Sequence, residues 1–325
     1  MSEKLLGDIS KKLNISKSTI SRAARHCHGV DTDTRNVILE EYLRMGGGES
    51  AECDVYCIFP DLPKYFWSEL YRGICAASES GIVIKYNVIT KIEDCSTVLH
   101  YIDEAEKLNS RVLIIASIID DYVREKIEAL SSHMLVIILS EYANVKNCFY
   151  VGSDPYADGC AAGRYFLQHF STRKLIMIDF HDSENTRAHI SGFRDTIGSC
   201  VFDGDRYTSI KIGHDEPISY KLMPSRFARL LSEVSQDGEE YCIYFPSGVV
   251  GFDKALRKSN MRGMVNYLCH DTLLESDEFE AVSCNQDIFM QGCCAMTHAI
   301  RYIKDNVCPP QKFNFVPSAF SRVGK

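Results

Sequence analysis

Residues 13–30, LNISKSTISRAARHCHGV, place four small hydroxyls (Ser16, Ser18, Thr19, Ser21) and three cations (Lys17, Arg22, Arg25) close together. Hydroxyls are poor helix formers, because their side chains compete for nearby backbone groups. They are good ligands for phosphate oxygens, and lysine and arginine add the charge and the reach to base edges. On a helix, Lys17, Ser18 and Arg22 share one side, Thr19 and Ser21 lie beside them, and Arg25 follows one turn later. Ile15, Ile20 and Ala24 take the opposite side. That division suits a helix laid in the major groove of duplex DNA. The plain alternative is a solvated helix face with a few serines. Charge favours the first reading. Residues 1–30 hold six Lys/Arg against Glu3 and Asp8, a surplus of four, while the whole chain stands at −8, so the remainder carries −12. A basic head on an acidic body is the pattern of a dedicated anion-binding module.

Other reactive residue types point away from catalysis. There are fourteen cysteines but no CxxC pair, and the adjacent Cys293 and Cys294 diverge on a helix. Reduced thiols, mostly in the core, are expected in a cytoplasmic protein. His26-Cys27-His28 has no second ligand pair at finger spacing, so neither a metal nor another cofactor is expected. No GxGxxG follows a strand, and GxxxxGK[ST], GxSxG and HExxH are absent, so no enzyme activity is expected. No apolar run reaches membrane-spanning length. Asp154, Asp271 and Gln286 each sit just beyond a short apolar run, the place where ligands meet α/β sheets. Carboxylates and aromatic faces there suit rings bearing hydroxyls or a polar base.

The elements that must position these residues are of two kinds. Residues 1–46 read as three short helices, with Ser16 the N-cap of the second and Val37, Ile38, Leu39, Tyr42 and Leu43 the buried stripe of the third. Gly46-Gly47-Gly48 ends that helix and opens a short linker over 47–52. From Cys53 onward, branched apolar runs alternate with amphipathic stretches. The runs are 55–60, 81–89, 111–117, 134–140, 174–179, 240–245, 264–269 and 280–284. Buried strands alternating with helices predict an α/β body with parallel sheets, too large for one compact sheet and therefore two-lobed with a cleft. The predicted body is 53–325. Lobe one spans about 53–155 and 286–306, and lobe two about 156–285 and 307–325.

Residues 8–46, DISKKLNISKSTISRAARHCHGVDTDTRNVILEEYLRMG, resemble the N-terminal domain of the LacI/GalR family of bacterial repressors. The likeness rests on Asp8, Ile15, Ser16, Thr19, Ile20, Ser21, Arg22, Val30, Thr34, Arg35 and Val37, and on matching loop lengths. It extends more weakly through YFWSELYRGICAASESGIVIKYN, VGSDPYADGCAAGRYFLQH, RAHISGFRDTI and NQDIFMQGCCAM. The resemblance implies that Lys17, Ser18 and Arg22 read bases and that Ser16, Thr19, Ser21 and Thr34 contact phosphates. It also implies a periplasmic-binding-protein-like body, with Phe66 and Trp67 as stacking residues and Asp271 as a ligand-gripping group.

Four departures limit what the resemblance carries. The family's hinge-helix motif is missing, and three glycines stand in its place, favouring a tether over a helix. Arg25 replaces the usual asparagine. His189 stands where the family has an arginine three residues before Gly-Phe, with Arg187 two residues earlier. Ser247-Gly248 replaces an Asn-Asp pair at a cleft strand end. Arg187, His189 and Ser247 therefore join Phe66, Trp67, Asp154, Asp271 and Gln286 as candidate effector contacts. The sequence thus predicts a homodimeric regulator, a repressor by type, that binds double-stranded operator DNA and answers to a small sugar-like effector. Two alternatives stand beside it: a regulator whose degenerate cleft answers to a protein partner, and a cytoplasmic solute-binding protein.

Overall fold

The computed structural model describes residues 3–24, 30, 34, 37–38, 41, 53–61, 64–89, 95–116, 120–179, 183–198, 207–211, 228–229, 232–233, 239–246, 265–270 and 281–323. Helices α1 (Glu3–Leu13) and α2 (Lys17–Ala24) form the head. Asn14, at φ 53°, takes the left-handed conformation that asparagine tolerates and turns the chain between them. Ile9, Ile20, Ala23, Val30 and Ile38 close a separate small core, with Leu6, Leu13 and Ile15 against it. Val37, predicted in the buried stripe with Ile38, is exposed, while Ile38 is buried. The linker 47–52 and Arg25 lie outside the described residues.

The body contains two six-stranded sheets. In the first, β1 (Val55–Pro60), β2 (Ile84–Ile89), β3 (Val112–Ile115), β4 (Leu135–Leu139), β5 (Phe149–Gly152) and β11 (Phe313–Phe315) are ordered 11-5-4-3-1-2, every pair parallel. In the second, β6 (Lys174–Asp179), β7 (Tyr207–Lys211), β8 (Tyr241–Tyr244), β9 (Val265–His270), β10 (Ala281–Gln286) and β12 (Ser318–Val323) are ordered 12-10-9-8-6-7. Only β12 there runs antiparallel, on β10. The same winding in both sheets puts a switch of strand order between β1 and β3, and again between β6 and β8, where doubly wound sheets take ligands.

The first sheet reads as continuous apolar runs because both its faces are covered. Val55, Cys57 and Phe59 of β1 meet α3 (Lys64–Ala77) and α8 (Ile288–Asp305). Tyr56 and Ile58, pointing the other way, meet α4 (Cys95–Lys107) and α5 (Asp121–Leu130). In the second lobe, α6 (Pro155–His169) and α7 (Glu184–Ile197) bury Phe166 and Phe193 against Met177, Tyr244 and Leu268.

The chain passes between sheets three times. The first two passages are at 152–155 and 286–288. The third comes later in the chain than the sequence reading put it. Residues 313–315 pair with β5 in the first sheet, with Tyr150 N–H donating to the Lys312 carbonyl at 2.8 Å and Val316 N–H to the Gly152 carbonyl at 2.7 Å. The change of lobe therefore comes at 315–318, about ten residues beyond the predicted point near 306. The left-handed cap Asn306 ends α8 but does not end the first lobe. Among the described residues no disulfide joins two cysteines, and no helix is long and apolar enough to cross a membrane.

Candidate effector cleft and DNA-facing helix

On the head, Ser16 caps α2: its Oγ accepts from Thr19 N–H at 3.1 Å. Ser16 Oγ also lies 2.9 Å from Ser18 Oγ and 2.8 Å from Thr19 Oγ1. Arg22 reaches back along its own helix, with Nη2 3.4 Å from Thr19 Oγ1 and Nε 3.4 Å from the Ser18 carbonyl. Those contacts are long and therefore weak, so they hold the guanidinium only loosely. Ser16, Lys17, Ser18 and Arg22 are exposed, and Thr19, Ser21 and Thr34 are half-buried. The structure thus gathers the hydroxyls and two of the three cations along α2 while Ile20 and Ala23 hold its inner face. Lys12 is occupied otherwise, 2.8 Å from Glu41.

In the body, the predicted effector residues separate. Phe66 and Trp67 open α3 but are covered by the lobe itself, at 9% and 7% exposure. Trp67 stacks on Phe59 (6.3 Å, 23°), and Phe66 meets it edge-on at 4.8 Å. Asp154 caps α6, its Oδ1 accepting from Ala157 N–H at 3.0 Å. Gln286 ends β10 and accepts at Oε1 from Gln291 Nε2 at 2.7 Å. Arg187 is exposed on α7. Ser247 and Asp271 lie outside the described residues.

His189 is the predicted residue with the most constrained surroundings. It is buried, its ring 3.9 Å from that of His270 and nearly parallel to it at 20°. Nδ1 lies 2.7 Å from the Pro246 carbonyl. Burial outweighs that hydrogen bond and lowers the His189 pKa to about 4. His270 is held neutral by burial and by the neighbouring His189. The Tyr244 hydroxyl stands 3.1 Å from His270 Nε2. Sequence reading missed His270, Tyr244 and Asp158. His270 closes the strand VNYLCH, one residue before the carboxylate that drew attention, and Asp158 sits one turn inside α6, where it reads as a first-turn helix acid.

The two lobes are tied beside this site. Asn185, at the start of α7, accepts from Tyr142 N–H at 2.8 Å and donates to the Ser140 carbonyl at 3.1 Å. Arg124 of α5 pairs with Glu184 at 3.1 Å. Asn185→Ala removes both amide bonds. It is expected to cost about 1–2 kcal/mol and loosen the lobes, seen as a larger radius of gyration in small-angle scattering. An unchanged radius and melting point would show that the clasp holds nothing.

No family model and no curated protein matches the sequence. Solved structures do. A glucose-galactose binding protein, GanP from Geobacillus stearothermophilus, superposes with TM-score 0.67 at 16% identity over 83% of this chain and 98% of its own. An ABC-transporter periplasmic solute-binding protein from Actinobacillus succinogenes, with bound D-allose, gives 0.67 at 12% identity over 82% and 96%. The transcriptional regulator CelR, complexed with cellobiose, gives 0.63 at 14% identity over 98% of this chain and 99% of its own. At such identities the likeness establishes the fold: the body of this chain is a two-lobed, periplasmic-binding-protein-like α/β structure.

Proposed function

We propose that this protein is a DNA-binding transcriptional regulator, a repressor by type, whose body binds a small sugar-like effector between its lobes. The observation that carries the reading is the exposed row of Ser16, Lys17, Ser18 and Arg22 on a head with its own core, set ahead of a ligand-binding body. The match to CelR is in keeping with it, since it spans 98% of the chain where the two sugar-binding proteins above span 82% and 83%. The sugars named for those structures support a sugar-like effector. A homodimer follows from the small number of bases one such helix can read, because paired half-sites multiply affinity and specificity. Control by a protein partner is the second reading, favoured by one observation: Phe66 and Trp67 are covered by the lobe's own rings.

Binding to a labelled palindromic duplex should weaken steeply as salt rises, since each phosphate contact releases counterions. Arg22→Ala should cost about 1–3 kcal/mol on operator DNA and little on random DNA. Thr19→Ala should weaken both alike. Salt-independent binding, or an unchanged operator-to-random ratio for Arg22→Ala, would refute the assignment. A thermal-shift screen of mono- and disaccharides on the whole chain tests the effector half separately.

A further inference from the structure

His189 carries a hydrogen-bond acceptor that the described residues leave unused. Its ring is buried, with Nδ1 2.7 Å from the Pro246 carbonyl. A carbonyl can only accept, so Nδ1 carries the proton and Nε2 the lone pair. That Nε2 is fully buried and has no hydrogen-bond partner among the described residues. A buried acceptor without a donor is a standing penalty, and a ligand that donates to it removes that penalty.

Two features put this nitrogen between the lobes. Pro246 follows β8, and His270, on which the ring stacks, is the last residue of β9. His189 therefore stands at the carboxyl ends of two strands, beside the switch of strand order at β6 and β8. On α7 it follows Asn185 by four residues, and residues so spaced share a helix face. Asn185 is the residue that grips the backbone of Ser140 and Tyr142 in the first lobe. The face that carries His189 is thus the one turned to the other lobe, and parting the lobes at this clasp opens a way to it.

The surroundings limit what can donate there. Burial holds His189 neutral, with its pKa lowered to about 4, and the neighbouring His270 is neutral too. An anion would need Nε2 protonated against that burial. Carboxyls nearby have the wrong sign for an anion. An oxygen of Asp158 lies within 4.8 Å of a ring nitrogen of His189. From the first lobe comes Glu141, whose two flanking peptide groups both bond to Asn185. It is half-buried, and burial alone raises its pKa to about 7.

We propose that His189 Nε2 accepts a hydrogen bond from a hydroxyl of the effector, so that the cleft takes an uncharged sugar and discriminates against sugar phosphates and sugar acids. The inference rests on the reading of the cleft as an effector site. It adds which atom of this chain meets the ligand and which charge the ligand lacks. A neutral imidazole with its one N–H engaged has nothing to give an anionic oxygen, whereas any sugar hydroxyl can donate.

The test titrates the full chain calorimetrically with D-glucose, D-galactose, D-allose and cellobiose, and with D-glucose 6-phosphate and D-gluconate. We expect at least one uncharged sugar to bind, and both anions to bind at least about tenfold more weakly, because a buried charge without a counter-charge is costly. With 15N-labelled histidine, the His189 Nε2 resonance should lie in the range of an unprotonated ring nitrogen and shift when that sugar is added. His189→Phe keeps a flat ring on His270 but removes the acceptor, and should weaken the sugar about tenfold. A residue with only a structural part would lower the melting point and leave the affinity unchanged. If circular dichroism finds the variant unfolded, the wild-type resonance decides. An anion that binds as tightly as the uncharged sugars, a resonance that the sugar leaves unmoved, or a folded variant of unchanged affinity would overturn this inference and leave the effector reading standing. Binding of none of the six compounds would overturn both.

Discussion

Gly192→Ala is expected to destabilise the second lobe by about 3 kcal/mol, the upper end for overpacked interiors, and to lower its melting point by roughly 10 °C. Helices α6 and α7 cross on reciprocal glycines. A Cβ on Gly192 would fall 2.1 Å from the Tyr156 carbonyl oxygen, and one on Gly159 would fall 2.1 Å from that of His189. The obstacle is backbone, so no rotamer change relieves it, and the helices must part. The first lobe repeats the device, with Gly73 against Phe289 and Gly292 against Leu70, each again at 2.1 Å from a carbonyl oxygen. Gly7→Ala is the control. It too lies within a helix, but its added Cβ meets only the Lys17 side chain, at 3.6 Å. There the ordinary preference of helices for alanine should prevail, worth up to about 1 kcal/mol of added stability. Urea melts of the two variants should therefore move in opposite directions. A Gly192→Ala melt within 1 kcal/mol of wild type would mean that the helices do not cross so closely.

Acidification should weaken the same lobe through His189. Its pKa is about 4 in the native protein against an ordinary value of 6.5. Between those values the unfolded chain binds a proton that the native chain does not, so stability falls as pH falls. The contribution is intact above about pH 6.5 and amounts to a loss of about 3 kcal/mol by pH 4. His270, also held below its ordinary pKa, acts in the same direction. Urea melts across this range should show a slope that His189→Asn flattens. If the variant and the wild type lose stability in parallel, His189 is not the group that carries the change.

The row of hydroxyls and cations on the head was legible in the sequence because it is local. Ser16, Lys17, Ser18 and Arg22 lie within two helical turns, where residue spacing alone fixes which side chains share a face. The alternation of the body was legible for a similar reason. Strands such as β1 and β3, covered on both faces, must be continuously apolar, and their helices must be amphipathic. The strands left unread were β7, β11 and β12, while β5 was marked only by the short run before Asp154. The first three each end a sheet, where one side has no neighbouring strand, and β5 is only four residues long.

Tertiary structure alone decided three matters. Phe66 and Trp67 look like ligand platforms in the chain, but Phe59 and the first-lobe core cover them, because the helix register turns both rings inward. The final strand pair divides between the sheets at 315–318, since β11 completes the first sheet before β12 closes the second. The meeting of Asp158, His189 and His270 depends on the glycine crossing of α6 and α7 and on where β9 ends. Sequence spacing determines which residues share a helix face or a strand face. The convergence of groups 31 and 81 residues apart is set by how helices pack on a sheet, and no local pattern encodes it.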